Sequence, residues 1–144
     1  MKRIWVVVAE CLIIVAVVGL WQGWWQTYPA KNEDALHKYV EKNETALLEA
    51  LEMCPERGTI SPKGLGKVSI YKRDGESFFT FPWRTGNPEM SAWLTYAPDG
   101  SVKVGGYTFS ETGHVSGLGI GGNGYIDCRM LKERWFFVEY YDPT

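Results

Sequence analysis

The sequence predicts an α+β protein, with an N-terminal transmembrane helix followed by one amphipathic helix packed on an antiparallel meander sheet of about four to five strands. Three observations predict this class. An apolar run occupies residues 4–21, and apolar residues then recur at helical spacing between positions 32 and 54. Short strand-like runs follow, separated by the turn sequences "DGE" and "PDG". One helix followed by hairpins is typical of α+β architecture.

We expect the apolar run to cross a membrane as a helix. Eighteen helical residues span about 27 Å, close to the hydrocarbon thickness of roughly 30 Å. The aromatic cluster "LWQGWWQTYP" that follows suits the membrane–water interface. Lys2 and Arg3 precede the run, whereas the charges after it are mixed, so we expect a cytoplasmic N-terminus. The expected organisation is a cytoplasmic tail at 1–3, a membrane anchor with its aromatic interface at 4–25, a linker at 26–31 and an extracytoplasmic domain at 32–144.

One acidic residue, Glu10, lies inside the apolar run. Its insertion costs on the order of 3 kcal/mol, whereas the eleven Ile, Val and Leu residues of the run return about 3 to 7 kcal/mol. Insertion is therefore still favoured. Glu10 either protonates or reaches the near interface, or it pairs with a basic residue of another membrane helix. The second alternative makes Glu10 a candidate membrane-helix contact.

Two kinds of processing compete with a retained anchor. Cys11 follows Glu10 in mid-run, which does not suit a lipoprotein acylation site. The only weak cleavage candidate is "VVG" at 17–19, without a polar region before it. We expect a retained signal-anchor in the cell membrane, in contact with lipid through residues 4–25.

The next segment predicts an amphipathic helix that starts after Asn32, a good N-cap, and is stopped by Pro55 and Gly58. Glu33 and Asp34 fall in its first turn, where the helix dipole favours acids. Its apolar stripe must be buried against the sheet. The stripe consists of Leu36, Tyr39, Val40, Leu47, Leu48 and Leu51.

Strand patterns then follow in series: "KVSIYK", "SFFTFPW", a second hairpin in "SAWLTYAPDGSVKVGGYTF" with "PDG" as its turn, and "RWFFVEYY" at 134–141. The aromatics at 78–81, 93–96 and 135–141 are expected in the core and in cross-strand pairs rather than in a ligand cage. In the last strand, Glu139 makes the face that it shares with Trp135 and Phe137 the more polar one. We therefore expect Phe136 and Val138 to face the helix and Trp135 to cover an edge.

This order of segments resembles a group of small membrane-anchored α+β proteins of unassigned function from Gram-positive bacteria. The likeness lies in "SIYK", "YAPDG" and the closing "GYIDCRMLKERWFFVEYYD", in which Tyr125, Trp135 and the aromatics after it carry most of it. The chain differs in Cys54, Cys128 and a richer glycine loop. The resemblance implies an external α+β domain on a tether and implies no activity.

The glycine loop contains a G-x-G-x-x-G spacing at Gly119, Gly121 and Gly124. A dinucleotide site needs a helix after these glycines and an acidic residue roughly 20 positions later. The chain has no room for that unit before Thr144. We predict no nucleotide binding, and glycines that serve a flexible connection or a bulged edge strand.

Composition and spacing give little support to catalysis. Beyond residue 30 the net charge is about −3 and no basic block occurs, which argues against binding of nucleic acid. His37 and His114 lack metal-ligand spacing, so we expect no metal and no cofactor. We expect a tethered binding or accessory module with an envelope or membrane protein, peptide or glycan as partner. The alternatives are an envelope-acting enzyme using His114 and Asp127, and a small subunit of a membrane complex contacted through Glu10.

Of the three cysteines, Cys11 lies in the apolar run and two lie beyond it. Cys54 and Cys128 either form a disulfide, which closes a loop of some 75 residues and stabilises the domain by about 4 kcal/mol, or are two separate buried thiols. The sequence leaves both alternatives open.

Overall fold

The structure is a computed structural model that describes residues 2–25, 28–54, 56–60, 68–83 and 89–143. Over these residues two helices precede nine strands, in the α+β class that the sequence predicts. The helices are α1 (Lys2–Trp25) and α2 (Glu33–Met53). The strands are β1 (Arg57–Ile60), β2 (Val68–Arg73), β3 (Glu76–Thr80), β4 (Met90–Tyr96), β5 (Val102–Val104), β6 (Tyr107–Phe109), β7 (Gly113–Leu118), β8 (Gly124–Lys132) and β9 (Trp135–Tyr141).

Seven of the described strands form one antiparallel sheet in the order β1-β2-β3-β4-β9-β8-β7, while β5 and β6 form a separate two-stranded hairpin. The expected four to five strands are too few. Edge strands β1 and β7 lack a clean apolar alternation. In β8, Ile126, Cys128 and Met130 do alternate with polar residues, but the expected strands do not include this one. The turn between β8 and β9 lacks the glycine that marks other turns of the chain. Arg134 adopts the left-handed conformation there, at φ 69°. The "PDG" sequence, predicted as the turn of the second hairpin, instead connects β4 of the large sheet to β5. The second hairpin consists of β5 and β6, and its turn lies at Gly105 and Gly106.

Helix α2 follows its predicted pattern. The Asn32 side chain accepts a hydrogen bond from the N–H of Ala35 at 2.9 Å, which caps the first turn. Pro55, expected to stop the helix, lies outside the described residues, as do residues 26 and 27 of the expected linker. At the C-terminal end, the ammonium group of Lys72 donates to the carbonyl oxygens of Leu51 and Cys54. A cation from β2 thus satisfies free carbonyls where the dipole is negative.

The apolar stripe of α2 is buried against one face of the large sheet, in what we term the helix-side cluster. Leu36, Val40 and Leu47 are fully buried there. Tyr39 and Leu48 are half-buried at its margin. Their partners in the sheet are Val68, Ile70, Phe79, Phe81, Leu94, Leu131, Trp135 and Phe137. This packing of α2 on the sheet agrees with the predicted architecture.

The opposite face of the sheet is also covered, by the β5–β6 hairpin, and we term that contact the hairpin-side cluster. Val102, Val104 and Phe109 of the hairpin segment are buried there. They pack on Ala97, Ile126, Cys128, Phe136 and Val138 of the sheet. The middle strands are therefore buried on both faces.

The expected orientation of β9 is wrong. Phe136 and Val138 belong to the hairpin-side cluster, whereas Trp135 and Phe137 face α2. Trp135 is fully buried rather than placed over an edge. Glu139 does not expose the face of β9 that it shares with Trp135 and Phe137 to solvent. It lies beyond the packed region and forms an ion pair with Lys31 at 3.2 Å.

Trp135 is tied to α2 by a polar contact. Its indole N–H donates to Oε1 of Glu44 at 3.1 Å, and the other carboxylate oxygen of Glu44 forms an ion pair with Lys132. The hydrogen bond from Lys132 holds the pKa of the Glu44 carboxyl below its ordinary value. This contact fixes the middle of the helix over the turn between β8 and β9.

Helix α1 is described by itself. The side chains of residues 4–17 are all exposed, and they take no part in either cluster. Over the residues that the structure describes, no helix is both long and apolar enough to cross a membrane.

The packing of α2 predicts unequal effects for two neighbouring substitutions. Leu47→Ala removes a fully buried side chain from the helix-side cluster and should cost about 2–5 kcal/mol of unfolding free energy. Glu49→Ala, on the exposed side of the same helix, should change it by less than about 0.5 kcal/mol. Urea unfolding of the full chain in a mild detergent measures both. Equal midpoints would contradict the observed packing.

Candidate functional site

A cleft lies on the sheet face opposite α2, beside the β5–β6 hairpin. Its volume is about 740 Å³. Its floor comes from β2, β3 and β4, and one wall comes from the hairpin. The lining comprises Tyr71, Arg73, Asp74, Glu76, Phe78, Thr80, Met90, Ser91, Ala92, Trp93, Lys103, Val104, Gly105, Gly106 and Tyr140.

The floor is a row of three rings on neighbouring strands, which we term the aromatic ladder: Tyr71, Phe78 and Trp93. Tyr71 and Phe78 are partners in the β2–β3 register, with ring centroids 6.0 Å apart. The Phe78 and Trp93 rings lie 6.2 Å apart and meet edge to face. At the outer end, the guanidinium carbon of Arg57 lies 4.8 Å from the centre of the Tyr71 ring, which is 37% exposed. The ladder thus combines cross-strand packing with an accessible aromatic surface.

The wall of the cleft depends on close approach of the hairpin to the sheet. A side-chain carbon at Gly105 would lie 3.2 Å from Cδ1 of Ile126 and 3.7 Å from the Tyr140 ring, and φ at Gly105 is 55°. Tyr140 continues the wall, and its hydroxyl donates to Asp142 at 2.9 Å. A glycine at position 105 therefore lets the hairpin pack against this part of the sheet.

Glu76 is a buried acid at the edge of the cleft, with 7% of its surface exposed. One carboxyl oxygen, Oε1, accepts a hydrogen bond from the backbone N–H of Lys103 at 2.9 Å. The other, Oε2, is buried without a hydrogen-bond partner among the described residues. Burial raises the pKa of Glu76, and the neighbouring charge of Asp74 adds to this, whereas the contact with Lys103 opposes it. Glu76 therefore retains an unused acceptor next to the cleft.

Trp93 provides the complementary group. Its indole Nε1 is buried and has no hydrogen-bond partner within the described part of the chain. An indole N–H can only donate. The same cleft thus holds one unused acceptor and one unused donor, although buried polar groups in folded proteins are nearly always paired.

The sequence-predicted pair His114 and Asp127 lies elsewhere, on edge strand β7 and its neighbour β8. The ring nitrogen Nδ1 of His114 is 3.7 Å from Oδ1 of Asp127, and the ring stacks on Tyr125 at 5.9 Å. Asp127 is bound more closely by Arg129, at 2.8 Å from Nη2. The structure therefore brings the two residues together, but the carboxylate mainly holds Arg129 on an exposed edge.

The glycine loop connects two antiparallel strands. Gly119 and Gly121 lie in the turn between β7 and β8, and Gly124 starts β8, so a strand and not a helix follows. A side-chain carbon at Gly124 would come within 2.8 Å of the carbonyl oxygens of Leu118 and Tyr141. A register shift lies between Ser116 and Leu118. The three glycines therefore belong to the connection between the strands and the start of β8, while the irregular part of edge strand β7 lies just before them. The absence of nucleotide binding stays a prediction.

The structure does not bring Cys54 and Cys128 together. Both are free thiols, Cys54 in the helix-side cluster and Cys128 in the hairpin-side cluster on the other face of the sheet. Burial raises the pKa of Cys128 to about 12, which keeps it a neutral thiol at physiological pH. Cys11 and Glu10 are exposed on α1.

Metal ligands are also dispersed. Within the described ranges, no group of three or more His, Cys, Asp or Glu side chains could hold a metal ion. His37 lies on α2 with its Nδ1 3.6 Å from the Glu41 carboxylate, far along the chain from His114.

Sequence reasoning missed the cleft and its two unpaired polar groups. The expectation that the aromatics at 78–81 and 93–96 lie in the core or in cross-strand pairs holds for Phe79 in the helix-side cluster and for Phe78, which pairs with Tyr71 and Trp93. The sequence did not indicate that Phe78 and Trp93 also line a cleft on the other face of the sheet. One signal existed: Glu76 and Phe78 are two residues apart and share a face of β3. A charged residue beside an aromatic one on a central strand is the pattern that identifies this surface.

Comparison of the chain with models of protein families, with curated proteins and with solved structures finds no match in any of the three.

The raised pKa of Glu76 predicts that Glu76→Gln stabilises the protein at neutral pH. An acid whose folded pKa lies above its unfolded pKa loses native stability as pH rises through that folded pKa. Removing the charge should therefore raise Tm at pH 8. This increase in Tm should become smaller as the pH is lowered to 4 and the Glu76 carboxyl group takes up a proton.

Scanning calorimetry of the full chain at both pH values measures this difference. Glu52→Gln, an exposed site on α2, is the matched control and should leave Tm unchanged at either pH. A lower Tm for Glu76→Gln at pH 8 would mean that the buried carboxylate is stabilising in the unliganded protein.

Proposed function

We propose that this protein is a membrane-tethered extracytoplasmic binding module whose ligand site is the cleft floored by the aromatic ladder. The observation that carries the proposal is the pair of buried, unpaired polar groups there, Oε2 of Glu76 and Nε1 of Trp93. Leaving such groups unpaired costs roughly 1–3 kcal/mol each. A ligand that supplies the missing donor and acceptor recovers that free energy, so these groups favour a binding role.

The form of the cleft supports the same proposal. Ligand sites combine a mostly apolar concave surface with a few convergent polar groups. Here the rings supply the apolar surface, and Glu76 and Trp93 supply the polar groups. The cleft lies at the margin of the hairpin, where the far face of the sheet changes from covered to open. A peptide or glycan of the cell envelope is the class of ligand that such a site fits.

We infer binding rather than catalysis from the way the reactive groups are placed. The side chain of His114 is 56% exposed, and its acidic neighbour is bound by Arg129. The cleft lining contains two carboxyl groups, Glu76 and Asp74, and neither a histidine nor a cysteine. The Asp74 carboxylate is exposed and pairs with Arg73 at 3.3 Å. General acid–base or nucleophilic chemistry usually needs a second group within hydrogen-bond reach.

The proposed tether rests on α1. Its 24 helical residues extend over about 36 Å. The side chains of residues 4–17 are exposed, and the sequence stays apolar from there to Trp21. Exposed apolar side chains on all sides of a helix favour insertion in lipid. An unpaired Glu10 would be costly there, which supports a contact with a second membrane helix as part of the same proposal.

The topology predicts which parts of the chain are accessible from outside the cell. Glu52→Cys places a thiol on the exposed side of α2, and a membrane-impermeant maleimide should label it in intact cells. The unchanged chain should label weakly, because Cys54 and Cys128 are buried and Cys11 lies within the proposed membrane segment. An epitope tag ahead of Met1 should react with antibody only after permeabilisation. Labelling of the tag in intact cells but not of Glu52→Cys would reverse the proposed orientation.

The binding role predicts a position-dependent photo-crosslink. A photoreactive phenylalanine analogue in place of Tyr71, an exposed ring of the cleft, should form a discrete adduct when the full chain is irradiated in intact cells. The same analogue in place of Met53, which is 72% exposed on the other side of the sheet, is the control. An adduct from both positions, or from neither, would contradict a ligand site in the cleft.

A further inference from the structure

We propose that the cleft selects a peptide ligand through a lysine side chain, whose ammonium group donates to Oε2 of Glu76 while the indole N–H of Trp93 donates to a carbonyl oxygen of the same peptide. This inference rests on the proposed function and names its ligand class. Two unpaired groups of opposite hydrogen-bonding character require a ligand that offers both a donor and an acceptor.

The donor should be a cation because of the charges around Glu76. Its Oε1 is already bound by the backbone N–H of Lys103, and no described side chain donates to Oε2. Arg73 lines the cleft, but its Nε lies 3.3 Å from Asp74, and its side chain is 69% exposed. The positive charge of Lys103, which also lines the cleft, acts on Glu76 without a hydrogen bond to Oε2. A ligand ammonium would supply that missing donor as a charge-assisted hydrogen bond.

The aromatic ladder fits the remainder of a lysine side chain. Its rings can cover the aliphatic stem and attract the positive charge through their faces. The protein already uses one of these rings in this way, because the Arg57 guanidinium lies 4.8 Å from the centre of Tyr71. The outer ring of the ladder is thus already in contact with one cation of the protein, and Glu76 lies on the same face of the sheet.

The acceptor distinguishes a peptide from a simple amine. A polyamine would satisfy Glu76 but would leave the N–H of Trp93 unpaired, whereas a peptide presents a carbonyl oxygen at every residue. An amino sugar also offers an ammonium donor and hydroxyl acceptors. It is therefore tested as the alternative ligand class.

The test uses the full chain in detergent micelles, with ¹⁵N-labelled tryptophan and detection of the indole N–H signals by NMR. Trp93→Phe identifies the signal of Trp93. The probe is acetyl-Ala-Lys-Ala-amide. Matched probes replace lysine with norleucine, Nε-acetyllysine or Nε-trimethyllysine, and glucosamine and spermidine represent non-peptide amines.

We expect the lysine peptide to shift the Trp93 indole signal with saturation. The norleucine, acetyllysine and trimethyllysine peptides should bind at least about tenfold more weakly, since each lacks the N–H donors or the charge that Glu76 needs. Glu76→Gln should weaken binding of the lysine peptide by a similar factor. Glu52→Gln, a matched substitution on α2, should leave the affinity unchanged.

The outcomes separate this inference from the proposed function. Equal binding of the norleucine peptide, or full affinity in Glu76→Gln, would overturn the cation-specific contact. Tighter binding of glucosamine or spermidine than of the lysine peptide would overturn the choice of a peptide. If no probe shifts the Trp93 signal while position 71 still forms its photo-crosslink in cells, the inference fails and the binding role stands. Failure of both experiments would end both proposals.

Discussion

The architecture depends on the burial of strand β9 on both faces. β9 lies between β4 and β8 in the middle of the large sheet. Trp135 and Phe137 face α2, whereas Phe136 and Val138 face the β5–β6 hairpin. Four large apolar side chains in succession cannot all be covered by one layer, because successive side chains of a strand point to opposite faces. The protein therefore needs a helix on one side and a hairpin on the other.

The unequal size of these two covers produces the cleft. Helix α2 has 21 residues. Lys72 holds its C-terminal end on the sheet, and the hydrogen bond from Trp135 to Glu44 holds its middle. The hairpin has two strands of three residues each and covers only part of the far face. The remainder of that face, over β2 to β4, keeps its aromatic side chains partly open. The same geometry that completes the core thus leaves a concave aromatic surface next to it.

Polar groups distinguish this surface from the rest of the interior. Buried Thr95 is satisfied, since its hydroxyl donates to the Ser77 carbonyl oxygen at 3.1 Å. Three buried side-chain atoms of the described residues have no partner, and two of them, in Glu76 and Trp93, line the cleft. The third is the hydroxyl of Tyr39 on the helix side, where burial raises the pKa of this phenol to about 12. Unpaired polar groups on residues that line one cleft are an expected property of a binding site.

Local sequence determined the elements whose signals are local. The cap at Asn32, the stripe of α2 and the Asp74–Gly75 turn follow from capping, periodicity and turn chemistry, and each lies where the sequence predicts it. The face that β9 turns to the helix was not determined in this way, because both of its faces are apolar and only the position of the hairpin decides between them. Glu76 and Trp93 become a pair only when β3 and β4 lie side by side under that hairpin. Their lack of partners is a property of the tertiary structure, since hydrogen bonding of a side chain depends on neighbours distant in the chain.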